Sequence, residues 1–395
     1  MLGKTREQQV IGLCQKLIQA KSYSGEEQDV VGVMKAFCTS AGFTDVHVDS
    51  YGNCICHIQG SRPGPKVLFD GHMDTVPVPD TGVWTHDPFG AEIVDGRMYG
   101  RGTSDMKGAI SAMLMAAAYY AADCNYDFPG DIYVAGVVHE ECFEGVAARE
   151  ISAYVKPDYV VIGEASGLNV KIGQRGRAEI ILETFGIPAH SANPEKGVNA
   201  VYKMSKVIQA VQSLKPVHHP VLGDGILELT DIKSSPYPGA SVVPSYCRAT
   251  YDRRLLVGET KESVLKPIQE LLDRLMEEDP QMNARVSYAT GEEKCFTGST
   301  ITGERFFPGW LYEADETFVQ DVLEALKAKG FDPAVTQYNF CTNGSHYAGE
   351  EGIKTLGIGP SRENLAHTID EYIEIDQLLK VTECYYATMD ALLKG

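Results

Sequence analysis

The sequence predicts an α/β fold in which a mixed sheet lies between helices and a smaller α+β domain is inserted into the chain. In the first half, short apolar runs alternate with helical patterns, as in a sheet packed between helices. Between residues 178 and 296 the predicted order changes to β-α-β-β-α-β, which is ferredoxin-like. The α/β pattern then returns. We therefore expect residues 1–177 and 297–395 to form one discontinuous domain around the insertion 178–296.

The larger domain begins with two helical patterns, at residues 6–19 and 26–41, and the second ends before Gly42. Short apolar runs follow, which indicate buried strands, and a long, nearly uncharged helix separates the first two of them. The strands are predicted at residues 67–69, 132–138 and 160–162, the long helix at 106–122, and, after the insertion, a helix at 316–329, a strand at 354–358 and a closing helix at 375–393.

The insertion is predicted to be a compact domain of its own. Its strands are expected at residues 179–185, 226–232, 241–251 and 284–288, and its helices at 198–214 and 260–276. A separate sheet of this kind presents an edge strand, which pairing with a second copy would cover. The insertion is therefore a candidate dimerisation domain.

Composition and charge restrict the possible partners. The chain has 395 residues, 44% hydrophobic and 23% charged, and its 54 acidic and 35 basic residues give a net charge of -19. Such a surface repels phosphate backbones and anionic lipid headgroups, so we expect neither a nucleic-acid nor a membrane partner. Residues 1–9 contain no apolar core, and no stretch reaches about 18 uninterrupted apolar residues. These features predict a soluble, cytoplasmic protein.

The ten cysteines show no repeating spacing, and a chain of this length needs no disulfides to fold. We expect reduced thiols. Cys54 and Cys56 point to the same side of a predicted strand, which favours core packing over metal binding because no second pair stands at metal-ligand spacing.

Histidine and carboxylate residues follow the predicted strands of the larger domain, where the ligands of open α/β sheets gather. His72 and Asp74 come directly after the first strand, and a carboxylate near a histidine can hold the ring nitrogen that does not bind metal. Asp105 stands at the start of the long helix, in a glycine-rich segment that lets the backbone come close. Its carboxylate can bridge two cations.

Further carboxylates and a second histidine occupy equivalent positions. Glu140 and Glu141 follow the second strand, Glu164 follows the third, and His367 follows the restored strand. Adjacent side chains diverge, so one glutamate of the pair can bind metal while the other acts as a general base. With one glutamate of the pair counted as a ligand, these residues, His72 and Asp105 give a set of two histidines and three carboxylates that suits Zn²⁺, Mn²⁺ or Co²⁺.

Each motif alone has a simpler explanation. A histidine two residues from an aspartate is usually a hydrogen-bonded polar pair, and two adjacent glutamates are usually solvated charges. Their combination at one edge of one sheet is different, because clustered carboxylates repel one another until cations neutralise them. The joint pattern therefore predicts a site for two divalent metal ions.

These segments resemble the M20 metallopeptidases and deacylases over essentially the whole chain, a family that includes succinyl-diaminopimelate desuccinylase, acetylornithine deacetylase and carboxypeptidase G2. The similarity rests on residues 71–74, the segment 100–108, the adjacent glutamates, Glu164 and His367. The resemblance implies His72 and Glu164 on one metal, Glu141 and His367 on the other, Asp105 bridging both, Asp74 orienting His72, and Glu140 as the base. The larger domain is then the catalytic domain, and the insertion is its lid and dimerisation domain.

Three further segments, at residues 173–177, 252–254 and 342–344, look most like the YgeY-type, selenium-metabolism-linked hydrolases within this family. That designation reflects genomic association more than chemistry. It narrows the ancestry of the chain and leaves its substrate open.

The resemblance also implies residues that contact substrate. His190, in the insertion, matches a family histidine that stabilises the tetrahedral oxyanion and that in many relatives comes from the partner subunit. Arg253 or Arg254 can clamp a substrate carboxylate, although either can equally brace the insertion. Asn343 offers an amide to substrate. His346 replaces the acidic residue of several relatives, so their substrate contacts do not transfer directly.

We expect a homodimeric amidohydrolase that cleaves an amide-type bond in a small N-acyl or N-carbamoyl amino acid. Two divalent cations are the expected cofactors, with Zn²⁺ as the expected metal and Mn²⁺ or Co²⁺ as alternatives. Two other functions stay open. One is a dipeptidase or aminopeptidase, which a free substrate α-amine would distinguish. The other is a non-catalytic metal-binding scaffold, against which the presence of the base Glu140 argues.

Overall fold

The computed structural model describes residues 2–215 and 217–394, so positions 1, 216 and 395 of the predicted domains lie outside it. The chain divides into two compact units. The first comprises the residues up to Gln174, Glu292–Gly303 and the residues from Leu311 onward, and the second comprises Arg175–Gly291 and Glu304–Trp310. The second unit therefore begins at Arg175, slightly before the predicted residue 178. It also includes Glu304–Trp310, because the strand Phe306–Phe307 pairs with Gly176–Phe185.

The first unit is built on a mixed sheet, as predicted. Its strands run from one edge in the order Asp45–Val48, Cys54–Gln59, Pro129–Val137, Arg62–His72, Tyr159–Ile162, Lys354–Gly357 and Val170–Gln174, and Val335–Tyr338 pairs with the last of these. The four strands from Pro129–Val137 to Lys354–Gly357 are mutually parallel, while the outer pairs at the first edge are antiparallel. The sheet is therefore parallel at its centre, where both faces are covered.

Helices cover this sheet. They are Lys4–Gln19, Gln28–Ala41, Lys107–Asp123, Ala148–Val155, Thr317–Ala328 and Ile375–Lys394. Lys107–Asp123 packs against both terminal helices and the central strands, and nearly all of its side chains are buried. This burial explains why the helix carries almost no charge and no polar stripe. Short strands at Ile93–Val94, Arg97–Tyr99 and Tyr372–Glu374 form a separate small sheet.

The register of the central strands brings three chain segments to one edge of the sheet. His72 is paired with Val137, and Asp70 with Ile162, so the carboxyl ends of these neighbouring parallel strands lie at the same level. The residues that follow each strand leave the sheet side by side. This is the edge at which open α/β sheets bind ligands.

The second unit has the ferredoxin-like topology that its element order predicts. Its strands are Gly176–Phe185, Ile226–Ser235, Tyr246–Leu255, Ala284–Tyr288 and Phe306–Phe307, and its main helices are Ala200–Val211 and Lys261–Glu278. In the sheet, Ile226–Ser235 and Ala284–Tyr288 lie on the outside, and the first and third strands lie between them. Leu182, Met204, Ala249 and Leu272 are among the residues of a hydrophobic core that belongs to this unit alone.

One predicted strand of the second unit begins too early. The apolar run suggested residues 241–251, but the strand starts at Tyr246. Ser241 has a left-handed backbone with φ of 55°, which ordinary strands do not contain, and Pro244 cannot donate a ladder hydrogen bond. Both features explain why the strand begins at Tyr246 and not at residue 241.

The ten cysteines are free thiols, as expected, and Cys54 and Cys56 are fully buried with their sulfur atoms 3.9 Å apart. Within residues 2–215 and 217–394, no helix combines the length and the apolar character needed to cross a bilayer.

Candidate metal centre

His72 is the centre of a first group of ligand atoms. Its Nε2 atom lies 2.9 Å from Asp105 Oδ1 and 3.5 Å from Glu164 Oε1. His72 is the last residue of its strand, and Glu164 follows the neighbouring strand Tyr159–Ile162, so the parallel register brings the two together. All three side chains are largely shielded from solvent.

His367 is the centre of a second group. Its Nε2 atom lies 3.1 Å from Asp105 Oδ2 and 3.0 Å from Glu141 Oε2. The two oxygen atoms of Asp105 therefore face different histidines. A single carboxylate joins the two groups, and each group offers one nitrogen and two carboxylate ligands, which is the donor set that divalent transition metals prefer.

The spacing of the donor atoms fits metal binding. Ligand atoms of His72, Asp105 and Glu141 all lie within 4.8 Å of one another, as do those of His72, Glu140 and Glu164. The sequence predicts these residues as one cluster, and the structure brings all of them together. Their individual roles stay predictions, which we take up below.

The electrostatics of the cluster show a deficit of positive charge. Burial raises the pKa of Glu164 to about 8 and that of Glu140 well above its usual value, with neighbouring carboxylates adding to both shifts. Hydrogen bonds to Asp105 and Glu141 raise the pKa of His367 to about 10. Without metal, protons must neutralise part of this cluster. Cations would take over that role.

We therefore expect metal binding to release protons. His367 has a pKa of about 10 and is protonated near neutral pH, yet only the neutral ring can bind a metal, so at least one proton must leave. Apparent metal affinity should accordingly rise with pH up to that value and fall on acidification. Calorimetric titration of the metal-free protein with Zn²⁺, in buffers of different ionisation enthalpy, counts the protons. A binding event that releases none would contradict this electrostatic picture.

The orientation of His72 differs in one detail from the prediction. We expected the Asp74 carboxylate to hold its second ring nitrogen. Instead, Nδ1 hydrogen-bonds to the backbone carbonyl of Asp74 at 2.8 Å, and the carboxylate lies 3.6 Å away. The carboxylate accepts hydrogen bonds from the Ser24 hydroxyl at 2.7 Å and from the backbone N–H groups of Glu140 and Glu141 at 3.0 and 3.2 Å. Asp74 thus contacts both the histidine and the turn that carries the two glutamates.

A second buried carboxylate, Glu27, supports the same turn and was not anticipated from the sequence. Its Oε1 accepts hydrogen bonds from the backbone N–H groups of Gly25 at 2.8 Å and His139 at 3.4 Å. His139 has a positive φ of 54°, which places a sharp turn between the strand and Glu140. Burial raises the pKa of Glu27 to about 7, with Asp74 adding to the shift.

Asn343 takes part in a buried network with Asp70, two residues before His72. Its Nδ2 donates to Asp70 Oδ1 at 3.0 Å, and its Oδ1 accepts from the backbone N–H of Gly145 at 2.8 Å. Tyr347 donates to the other Asp70 oxygen at 2.8 Å. Both ends of the amide are thus occupied by protein groups. One N–H and one lone pair of the amide are left over, but the side chain is only 2% exposed, and the substrate role of Asn343 stays a prediction without support from this geometry.

His346 also has protein partners on both ring nitrogens. Its Nε2 lies 2.6 Å from the Ser152 hydroxyl and its Nδ1 lies 2.7 Å from Glu350 Oε2. Arg149 contacts the same glutamate through two nitrogens. Hydrogen bonds from His346 and Arg149 outweigh burial and lower the pKa of Glu350 to about 2. This network ties the helical segment Ser345–Glu350 to the helix Ala148–Val155.

The two candidate arginines of the second unit, Arg253 and Arg254, differ in their exposure to solvent and in their partners. Arg253 is 7% exposed, and its guanidinium contacts Glu259 at 2.5 Å and the backbone carbonyl of Ile226 at 3.2 Å. Arg253 therefore braces the unit, which is the alternative that the sequence analysis left open. Arg254 is partly exposed and its Nε lies 2.8 Å from Asp252, so only Arg254 keeps a guanidinium near solvent.

His190 is exposed on the second unit. The backbone N–H of Ala192 donates to its Nδ1 at 3.0 Å. In the neutral ring the proton must then be on Nε2, which points a hydrogen-bond donor away from the loop. This is the tautomer that a donor to a developing oxyanion needs.

The fold and the site together define a class of protein, the metallohydrolases built on a mixed α/β sheet. The chain belongs to peptidase family M20/M25/M40, whose profile matches residues 68–391. It is therefore an M20-type metallohydrolase, which removes the non-catalytic scaffold from the alternatives.

Two relatives and two solved structures illustrate the similarity. The uncharacterized protein YgeY of Escherichia coli (strain K12) is 31% identical over 94% of this chain and 91% of its own, which confirms the resemblance to that type. Succinyl-diaminopimelate desuccinylase 2 of Ruegeria sp. (strain TM1040) is 27% identical over 95% and 93%. Aminopeptidase PepT of Bacillus cereus superposes with a TM-score of 0.76 at 21% identity, covering 98% of each chain. The Bacillus subtilis YXEP protein, described as a dinuclear metal binding peptidase, gives 0.73 at 14% identity over 99% of each chain.

Proposed function

We propose that this protein is an amidohydrolase that uses two divalent cations to cleave an amide-type C–N bond in a small N-acyl or N-carbamoyl amino acid. The observation that carries the proposal is the position of Asp105, whose two oxygens face His72 and His367 separately. In this proposal His72 and Glu164 hold one cation, Glu141 and His367 hold the other, and Asp105 bridges them.

The donor set of imidazole and carboxylate suits Zn²⁺ best, with Mn²⁺ and Co²⁺ as alternatives. When bound, the cations supply Lewis acidity for the substrate carbonyl and for the attacking water. The description of the YXEP protein as a dinuclear metal binding peptidase supports the count of two.

Glu140 is the proposed general base. Its carboxyl is buried beside the ligand cluster, and burial raises its pKa well above the usual value. A carboxylate with a raised pKa is a better proton acceptor near neutral pH. Glu140 takes a proton from the attacking water and returns it to the leaving nitrogen, so that an amine and a carboxylate are released.

Two residues of the second unit complete the proposal. His190 donates from Nε2 to the oxyanion, as its tautomer allows. Arg254, rather than the buried Arg253, binds a substrate carboxylate. We further propose a cytoplasmic homodimer formed through the second unit, whose outer strand Ile226–Ser235 exposes Ile226 and Ile232.

Subunit mixing tests the homodimer and the origin of His190. Glu140→Gln and His190→Ala proteins are each expected to be inactive. If His190 acts on the partner's site, exchange between them should create hybrid dimers with one intact site. About a quarter of parental activity per site should return, because random exchange makes half of the dimers hybrid and one of their two sites is complete. If exchange is verified by mass and no activity returns, His190 does not act in the partner's site.

A substrate screen tests the reaction itself. N-acyl amino acids, N-carbamoyl amino acids and dipeptides should be compared with the protein loaded with Zn²⁺, Mn²⁺ or Co²⁺. The proposal expects the first two classes to be preferred, as the desuccinylase relative supports. The second candidate is a dipeptidase or aminopeptidase, which the similarity to PepT favours. A requirement for a free α-amine in the substrate would establish that candidate and overturn the first.

A further inference from the structure

We infer that Glu371 is a positioning residue that fixes the Asp105 carboxylate between the two metal sites. It lies four residues after His367 and 266 residues after Asp105 in the chain, yet it contacts the backbone of Asp105 directly. The inference rests on the proposed two-metal centre and assigns the residue that holds its bridge in place.

The contacts of Glu371 are concentrated on one loop. Its Oε1 accepts hydrogen bonds from the backbone N–H groups of Gly102 at 3.1 Å, Ser104 at 2.8 Å and Asp105 at 3.1 Å. Its Oε2 accepts from Arg101 Nη1 at 2.5 Å. The side chain is fully buried. Three converging amides form an anion-binding nest, and here the bound anion is a side chain of the protein.

The backbone on both sides of Glu371 strengthens this connection. The N–H of Gly100 donates to the Glu371 carbonyl at 2.8 Å, and the Ser104 hydroxyl donates to the Tyr372 carbonyl at 2.7 Å. The strand Tyr372–Glu374 then pairs with Arg97–Tyr99. The segment that carries His367 and the loop that carries Asp105 are therefore joined at several successive points.

Arg101 adds a buried positive charge to this loop, and the negative charge of Glu371 is its partner. Its side chain is 5% exposed, and among the described residues Glu371 is the carboxylate paired with it. The Nε atom of Arg101 has no hydrogen-bond partner among those residues. Without the Glu371 carboxylate, a buried guanidinium and three backbone donors would lose their acceptor. The loop would then rearrange to find other acceptors.

A rearrangement of this loop affects Asp105, the proposed bridge, more than the ligands that belong to only one of the two sites. Asp105 must present Oδ1 towards His72 and Oδ2 towards His367 at the same time. A modest rotation of its backbone separates one oxygen from its partner while the other contact survives. We therefore expect the loss of Glu371 to weaken mainly the site of Glu141 and His367, because His367 and Glu371 lie four residues apart in the same segment.

The experiment compares two variants with a matched control. Glu371→Gln removes the charge at nearly constant shape, and Glu371→Asp keeps the charge but shortens its reach. The control is Glu363→Gln, because Glu363 also lies four residues from His367 and also forms an ion pair, with Lys171 at 2.9 Å, but among the described residues no hydrogen bond or ion pair joins it to the Asp105 loop. Melting temperatures establish that each protein is folded.

Calorimetric titration with Zn²⁺ gives the affinity of each equivalent. We expect both Glu371 variants to keep the first equivalent and to bind the second about 10- to 100-fold more weakly, the usual effect of losing a residue that orients metal ligands. With Co²⁺ in both sites, magnetic coupling through the bridge should be present in the parent and control and weakened in Glu371→Asp. A change in general stability alone would not produce this signature.

The outcomes separate this inference from the proposed function. A parent protein that binds fewer than two equivalents overturns the two-metal centre and the role of Glu371 with it. If the parent binds two and the folded Glu371→Asp protein binds both as tightly, with unchanged coupling, only the role of Glu371 is wrong. An equal loss in Glu363→Gln would also overturn it, because the effect would then belong to any ion pair in the segment.

Discussion

Replacing Glu140 by glutamine is expected to abolish most turnover while both metals stay bound. The amide has nearly the shape of the carboxylate but cannot accept a proton, and none of the proposed ligands is changed. Since a positioned general base contributes about 10²- to 10⁴-fold, turnover should fall by at least about 10²-fold. Metal content measured on the same sample as the kinetics distinguishes loss of the base from loss of metal.

A glutamate on the nearby helix provides the control for this change. Glu150 is exposed on Ala148–Val155, and Glu150→Gln removes the same charge without touching the cluster. Its activity should equal that of the parent. Near-normal turnover in a fully metal-loaded Glu140→Gln protein would show that another group accepts the proton, and the assignment of the base would have to be abandoned.

Replacing Asp105 by alanine is expected to reduce metal binding at both sites. Asp105 lies 2.9 Å from His72 and 3.1 Å from His367 through different oxygens, so its loss should weaken binding more than the loss of any single-site ligand. The metals contribute several kcal/mol to catalysis, so turnover should decrease by about 10³-fold or more. Asp105→Asn keeps one carbonyl oxygen and should retain tight binding of one equivalent at most.

The matched control, Asp123, lies at the end of the helix that follows the Asp105 loop. Asp123 pairs with Arg6 at 2.5 Å near the surface, and Asp123→Asn should leave both metals bound. An Asp105→Ala protein that binds two equivalents as tightly as the parent would mean that Asp105 is not a bridge. The two groups of ligands would then have to be assigned independently.

The sequence predicts the fold well wherever local patterns determine it. The strand at 67–69 was recognised because a buried parallel strand is continuously apolar, although its true extent is Arg62–His72. The predicted helix at 260–276 lies close to the observed Lys261–Glu278, because Thr260 caps it with a hydrogen bond to the Ser263 N–H. Strands as short as Arg97–Tyr99 carry no periodic signal, and the sequence analysis did not include them.

The residues of the candidate site likewise fall into two groups: those that local sequence patterns predict and those whose importance depends on tertiary contacts. The proposed ligands were found because each follows a strand or begins a helix, which is a local property of the chain. Glu27 and Asp70 were missed because their significance depends on partners far away in sequence, such as His139 and Asn343. The exposure of an arginine is likewise decided by tertiary packing. Arg253 and Arg254 are therefore indistinguishable in the sequence and clearly different in the structure.

The position of the strand Lys354–Gly357 has a consequence for the biosynthesis of the protein. This strand lies inside the sheet, between Tyr159–Ile162 and Val170–Gln174, although it comes near the end of the chain. The sheet of the first unit therefore stays open until the ribosome has added residues 354–357, whereas the second unit has its own core and consists mostly of consecutive residues. Because domains form as units during synthesis, the inserted domain should fold first. A nascent chain that stalls before residue 354 then exposes the unpaired edges of Tyr159–Ile162 and Val170–Gln174, and such chains should depend most on chaperones.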